Sequence, residues 1–228
     1  MNTVIVIIGA ILLIVIFYTL FKSYFFSNSS KLVSSSNLNI QLQPVSHTSL
    51  VNPTSTRYSY LVWIYVNSWD KSDTTNNRVI FSRLNDMSLY LDPNANLVCQ
   101  MSPSSPNSAS STPATNINVT NNFPLQKWVC IEVNVDNTIV DVYLDGKMVK
   151  SVQVPQVVPD NVSDVNFGIF DANIAQFTRN AFPIDPQTAW NNYLAGNGGS
   201  SLSSTLSSYN MTLAILKDNV VTSKFSLY

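Results

Sequence analysis

The sequence predicts an all-β fold, an antiparallel β-sandwich preceded by one transmembrane helix. Three observations predict it. Residues 127–154, KWVCIEVNVDNTIVDVYLDGKMVKSVQV, alternate aliphatic and polar positions on both sides of short turns. Val, Ile, Tyr and Phe are plentiful while only 11% of residues are charged. Polarity therefore comes from Asn, Ser and Thr, a composition of strands joined by polar turns. The third observation is an uncharged N-terminal run, residues 3–21, TVIVIIGAILLIVIFYTLF.

That run, which includes Thr3, Val4, Ile5, Ile8, Leu12, Ile16 and Phe21, reads as a membrane anchor. At about 1.5 Å per residue a helix over it crosses a hydrocarbon core of roughly 30 Å. Tyr18, Tyr24 and nearby Phe residues suit the interface. A cleaved signal peptide fits less well, because the run lacks a basic leader and a small-residue cleavage site. Lys22 and Lys31 follow the run and only the α-amine precedes it, so the positive-inside rule places the C-terminal domain on the cytosolic side. Sequons at Asn28, Asn118, Asn161 and Asn210 argue for the opposite side. In a chain so rich in Asn, Ser and Thr they arise by chance and carry little weight.

The expected organisation is an anchor over residues 1–25, a polar tether over 26–44 and a sandwich over 45–228. Residues 26–36, FSNSSKLVSSS, have a flexible composition, and residues 38–44 offer a first strand. His47 is the single histidine and reads as a surface residue. Residues 57–69 form a strong strand. Tyr58, Tyr60, Val62, Ile64 and Val66 share one face, and Leu61, Trp63 and Tyr65 share the other. Apolar residues on both faces predict an inner strand covered on each side. For Trp63 this means core packing rather than an exposed sugar-stacking platform.

Residues 78–84, 88–91 and 96–101 read as three short strands, parted by Asn85-Asp86 and by Asp92-Pro93-Asn94. Residues 102–122, SPSSPNSASSTPATNINVTNN, are low in complexity and carry too much Pro and Ser for a regular element over most of their length. They are expected to form a partner-contact arm containing Ser102, Pro103, Pro106, Pro113 and Asn116. In residues 127–154, Asp136-Asn137-Thr138 and Asp145-Gly146 supply tight turns, so residues 128–135 and 140–144 pair as a hairpin and 148–154 begins a third strand. Asp185-Pro186 caps a helix over residues 186–193. Residues 209–216 and 220–228 close the chain as a hairpin. In all, ten or more sandwich strands are expected.

Three stretches carry a resemblance. Trp128 opening a strand, followed by Val142-Tyr143-Leu144-Asp145-Gly146, resembles the concanavalin A-like lectin/glucanase superfamily, closest to its laminin G-like and pentraxin-like branches. The Trp-centred run at residues 57–69 is similar to an early laminin G strand. Gly168-Ile169-Phe170-Asp171, read as a strand, with the short helix behind it, resembles the close of such a domain. The resemblance implies an antiparallel jelly-roll β-sandwich of the concanavalin A-like kind. It also implies calcium in many relatives; Asp145, Asp164 and Asp171 are the candidates here, although no ligand loop is recognisable.

Several chemistries are excluded. Glucanase chemistry needs two carboxylates flanking the bond, and Glu132 is the single Glu in the chain. In Glu132-x-Asn134-x-Asp136, Asn cannot replace the acid. His47 stands in no nucleophile context, and there is no phosphate-cradling loop. With a net charge of −1 and no basic patch, nucleic acid is not a partner. Cys99 and Cys130 do not make a zinc spacing and read as buried free thiols, with a disulfide as the alternative. The expectation is a non-enzyme without a required cofactor. Its architecture and composition look like those of membrane-anchored minor capsid proteins of large icosahedral DNA viruses. That likeness implies a link between an inner membrane and other capsid proteins in a symmetric shell, with the lipid bilayer as a second partner. A membrane-anchored lectin on a cell or virion surface, with a glycan partner, is the alternative.

Overall fold

In the computed structural model, which describes residues 29–102, 114–198, 212–217 and 220–226, the two strongest period-two runs lie side by side. They are β2 (Arg57–Val66) and β7 (Trp128–Asp136), at the middle of a six-stranded antiparallel sheet. Around them stand β1 (Ser29–Asn37), β8 (Ile139–Leu144), β9 (Lys147–Gln153) and β11 (Ala172–Asn180), in the order β1-β11-β2-β7-β8-β9. The second sheet runs β10-β3-β4-β5-β6, from β3 (Arg78–Arg83), β4 (Met87–Leu91), β5 (Leu97–Met101), β6 (Thr115–Thr120) and β10 (Val165–Asn166). The helix α1 (Pro186–Ala195) follows β11, and β12 (Thr212–Lys217) pairs with β13 (Val220–Ser226) as a separate hairpin. The expected hairpins and the final pair are present, and Asn137 and Asp145 take the positive φ that their turns need.

The inner faces pack as the alternation requires. Tyr58, Tyr60, Val62, Ile64 and Val66 meet Val129, Ile131, Val133 and Val135 within one sheet, and Phe81, Leu89, Leu97, Cys99 and Ile117 from the other. Phe177 sits at the centre, 4.8 Å from Phe81 and 5.9 Å from Tyr60 between ring centroids. Burying each such side chain contributes roughly 1.5–3 kcal/mol.

Four expectations need correction. Residues 29–37, read as part of a tether, form the edge strand β1, paired with β11. An edge strand needs backbone pairing and one packed face, and here Leu32 and Val33 reach the core while Ser34 and Ser35 stay exposed. Residues 38–44 are not a strand, although Leu38 is buried and its N–H bonds Ala172 O at 2.8 Å. Within the low-complexity stretch, residues 115–120 form β6 against β5. Ile117 and Val119 alternate toward the core, a signal masked by the surrounding Ser and Pro. Finally, Gly168-Ile169-Phe170-Asp171 crosses between sheets, and the strand is the segment after it, β11.

The anchor residues Thr3 to Phe21 and the contact-arm residues Pro103, Pro106 and Pro113 lie outside the described residues. Among the described residues no helix is long and apolar enough to cross a membrane. Of the remaining arm residues, the Ser102 N–H bonds Asp86 O at 2.9 Å. Asn116 is an exposed member of β6 whose side-chain oxygen accepts from Gln100 at 2.8 Å.

Candidate functional site

The outer face of the six-stranded sheet, away from the main core, carries the site. Cross-strand register lays it out in rows: Ala175, Trp63 and Cys130; then Thr178, Leu61, Glu132 and Tyr143; then Asn180, Ser59, Asn134 and Asp141. Helix α1 lies over these rows. Asp185 caps it by accepting from the Thr188 N–H at 2.8 Å, and Gly196, at φ 76°, ends it. Ala189 is fully buried, and the Ile184 N–H donates to Asn134 Oδ1 at 2.8 Å. Tyr193 stacks on Trp63 with centroids 5.8 Å apart and planes 16° apart. The face therefore has its own small clusters, Trp63 with Cys130 and Ala175, and Tyr143 with Ile184 and Ala189. Trp63 is only 6% exposed beneath Tyr193, and the strand that carries it is covered on both faces.

Between α1 and β1 the cover leaves a groove of about 320 Å³, with Leu61 and Trp63 on its floor. Gln176, Thr178, Asn180 and Asn192 line it, with Ser29 and Gly198 at its rim. A bulge in β11 builds it. The pairing with β2 shifts between Ala175 and Thr178, and Gln176 adopts φ 51°. The extra residue puts Ile174, Phe177 and Arg179 inward while Ala175, Thr178 and Asn180 stay outward. An adjoining groove with Lys31, Ser35 and Trp128 shares Gln176 and Gly198. Amides and hydroxyls over aromatic floors suit a neutral, hydroxyl-rich ligand held by several modest hydrogen bonds. None of these lining residues was singled out as a site by sequence. The bulge erases the alternation across residues 172–180, so β11 and its outward residues gave no period-two signal.

Glu132 is 2% exposed, and no group stands in good hydrogen-bonding geometry to either carboxylate oxygen, although the Asn192 side chain lies nearby. Burial pushes its carboxyl up to about 7, opposed only by the Asn192 side chain. An acid whose folded value is raised stabilises the fold while both states are protonated. It loses that advantage as pH rises from its unfolded value to its folded one. Stability should therefore fall by about 2 kcal/mol between pH 5 and pH 8, and Glu132→Gln should flatten that slope. Urea melts at a series of pH values check this; a parallel slope in the variant would refute it.

The calcium candidates are not brought together. Asp164 accepts from the His47 backbone N–H at 2.8 Å and lies 2.8 Å from His47 Nδ1, so His47 is partnered rather than solitary. Asp145 accepts from the Cys130 N–H at 3.0 Å. Asp171 accepts from Ser68, from Asn39 at 3.0 Å and from Asn67 at 2.8 Å, and the Ser68 hydroxyl holds its carboxyl below the ordinary value. Among the described residues no group of three or more His, Cys, Asp or Glu side chains is placed to hold a metal. Cys99 and Cys130 are both buried free thiols, one in the main core and one on the outer face. Burial pushes the Cys99 thiol up to about 12.

Residues 41–197 match the laminin G-type family of the concanavalin A-like lectin/glucanase superfamily. No curated protein matches the chain by sequence. Among solved structures it is similar to the botulinum neurotoxin serotype D ligand-binding domain in complex with N-acetylneuraminic acid. That pair has a TM-score of 0.55 and 13% identity, over 72% of this chain and 42% of the other. The binding domain of Paraclostridial mosquitocidal protein 1 has a TM-score of 0.52 and 13% identity, over 71% and 42%. The botulinum neurotoxin DC binding domain in complex with rat synaptotagmin II has a TM-score of 0.52 and 13% identity, over 72% and 46%. The chain thus spans less than half the length of these structures, and at such identities the likeness is one of fold.

Proposed function

The chain belongs to the concanavalin A-like lectin/glucanase superfamily, and from that premise we propose that it is a non-enzymatic recognition domain that binds a glycan in the outer-face groove. The observation that carries this reading is the β11 bulge, which turns the Gln176 amide into a groove already lined by Asn180 and Asn192 over Leu61 and Trp63. Bulges re-aim side chains at binding sites, and left-handed backbone at a non-glycine residue is retained where the surroundings impose it. Known partners of structures with this fold support a binding role, since one botulinum domain is seen with N-acetylneuraminic acid and another with synaptotagmin. Hydrolysis has no support from the site: Glu132, the one Glu, lies closed beneath α1 without a second carboxylate across a cleft.

The test is a glycan array with sialylated and neutral oligosaccharides, followed by titration of any hit. Gln176→Gly keeps the left-handed backbone and removes the amide, and should weaken binding about five- to tenfold, the value of one lost hydrogen bond. Binding unchanged in that variant, or no hit on the array, would sink the groove reading.

A second reading concerns where the domain works. The uncharged run at residues 3–21 supports a single-pass anchor, and Lys22 and Lys31 support a cytosolic domain. In that setting the domain is a minor capsid protein joining an inner viral membrane to the shell. Since β1 begins at Ser29, only residues 22–28 would separate anchor from sandwich, a reach of at most about 25 Å. Fractionation decides: release from membranes by salt alone, absence from purified particles, or glycans on Asn118 or Asn161 would each count against it.

A further inference from the structure

One ionisable group on the outer face lies outside the lining of the groove. Glu132 sits in mid-strand on β7, with Leu61 of β2 on one side and Tyr143 of β8 on the other. It is among the most buried polar residues of the described chain, and both carboxylate oxygens lack a well-formed hydrogen bond, the nearby Asn192 amide being neutral and out of good geometry. The elements around it offer no counter-charge. β2 presents Leu61, and β8 presents the Tyr143 phenol with Asp141 beyond it. β7 itself adds the Cys130 thiol and Asn134, with Asp145 bonded to the Cys130 backbone. Helix α1 presents Asn192, and Asp185 stands at its start. The ionisable groups in this set are acids, a phenol and a thiol, and the nearby Lys127 is engaged with Asp145 at 3.4 Å. A carboxylate in such a place must find water or stay neutral.

The cover above it is held by packing at a few places. Helix α1 rests on Ala189, Ile184, the Tyr193–Trp63 stack and the close approach of Gly146 to Trp190 and Tyr193, while Leu194 is 63% exposed and Trp190 36%. Its C-terminal end turns on Gly196, whose φ of 76° an L side chain adopts only with strain.

We propose that α1 is a proton-linked cover: with Glu132 neutral it lies closed on Trp63 and completes the groove wall, and ionisation of Glu132 lifts it so that water reaches the carboxylate. The lifted state loses the wall formed by Asn192, Ala195 and Gly196. The first clause stands on the geometry of Glu132 alone; the consequence for ligand rests on the glycan reading of the groove. Burial raises the carboxyl to about 7, so the closed form belongs to mildly acid conditions and the lifted form to alkaline ones. Ligand affinity, where the groove is used, falls as pH rises through neutrality.

Because Glu132 is the single Glu in the chain, labelling with carboxyl-¹³C glutamate gives one side-chain resonance. The full chain in detergent micelles is titrated from pH 4.5 to pH 9 while that resonance and tryptophan emission are followed. The expected result is a carboxyl midpoint near 7, with emission shifting to the red over the same range as the Trp63 and Trp190 environments become wetter. Glu132→Gln should hold the blue-shifted, closed emission at every pH. A midpoint in the ordinary range near 4.3 would overturn the proposal, as would emission that is flat in the wild type or unchanged in its pH course by the variant. Should the variant fail to fold, the wild-type resonance and emission together decide: both must change over the same pH range. Neither readout involves a ligand, so an empty glycan array would remove the groove reading and leave the proton linkage standing.

Discussion

Asp86→Ala is expected to destabilise the fold by about 3–5 kcal/mol, the range for a buried pair that loses one partner. Asp86 is 0% exposed and lies between the sheets at one end of the sandwich. Its carboxylate accepts from the Tyr58 hydroxyl, from the Tyr60 hydroxyl at 3.3 Å and from Arg83 Nη1 at 3.3 Å. Arg83, also buried, donates onward to Ser163 O at 3.0 Å, Pro53 O at 2.8 Å and Asp160 O. Arg179 packs over the Tyr58 ring at 5.1 Å and donates to Val51 O at 2.6 Å and Asn52 O at 3.3 Å. One carboxylate thus sits among two arginines that fasten two loops. Burial pushes the Asp86 carboxyl up, while the Tyr58 hydroxyl and the arginines pull it down. Removing it leaves two buried cations without their counter-charge, and two phenols without an acceptor. Urea unfolding of wild type and variant measures the difference. A loss under 1 kcal/mol would mean that the loop carbonyls alone satisfy the arginines.

The second large effect is at Gly168. A Cβ there would stand 2.3 Å from Val79 O and 3.1 Å from Val79 C, both backbone atoms that cannot swing aside. The Gly168 N–H also bonds Val79 O at 3.2 Å, fixing the crossing segment onto β3. Gly168→Ala must push that segment off the strand, and about 3 kcal/mol is expected from overpacking with loss of the bond. Gly198→Ala is the useful contrast. Its nearest obstacle is the tip of the Gln176 side chain, at 1.9 Å, which can rotate away. What remains is mainly the cost of φ 79° to a side chain, about 1 kcal/mol. Thermal melts of the two variants should rank in that order; equal shifts would show that backbone contact at Val79 is not what makes Gly168 necessary.

Elements with an unbroken pattern were readable from sequence. The residue 127–154 hairpins were, because alternation and Asp or Asn turns coincide there. The α1 start was, because Asp185-Pro186 combines a side-chain acceptor with a residue that needs no N–H. The strands β3 to β5 were, because turn residues part short apolar runs. Strands whose signal is shared with another segment were not readable. β1 is polar on its outer positions and becomes a strand by pairing with β11. β11 itself changes phase at Gln176, so Ile174 and Phe177 point the same way three residues apart.

The site shows the same division. Sequence drew attention to Glu132 as the one Glu, to Trp63 as a core residue, and to the Asp residues as calcium candidates. Only the tertiary structure placed Glu132 under α1 with no counter-charge, gave Trp63 the floor of a groove, and dispersed the aspartates among separate hydrogen bonds. The physical reason is range. Alternation, capping and turn propensity act over a few residues and are written locally. The surroundings of a side chain are set by strands far apart in the chain: Gln176 and Leu61 become neighbours through cross-strand register, and Glu132 meets Asn192 because a helix some fifty residues later folds back over its sheet. The sequence by itself determined the central strands and their hairpins, the short strands β3 to β5 and which face of β2 and β7 is turned to the core. Burial without a counter-charge, and a groove opened by a single bulged residue, are properties of the assembled sheet that only the tertiary structure decided.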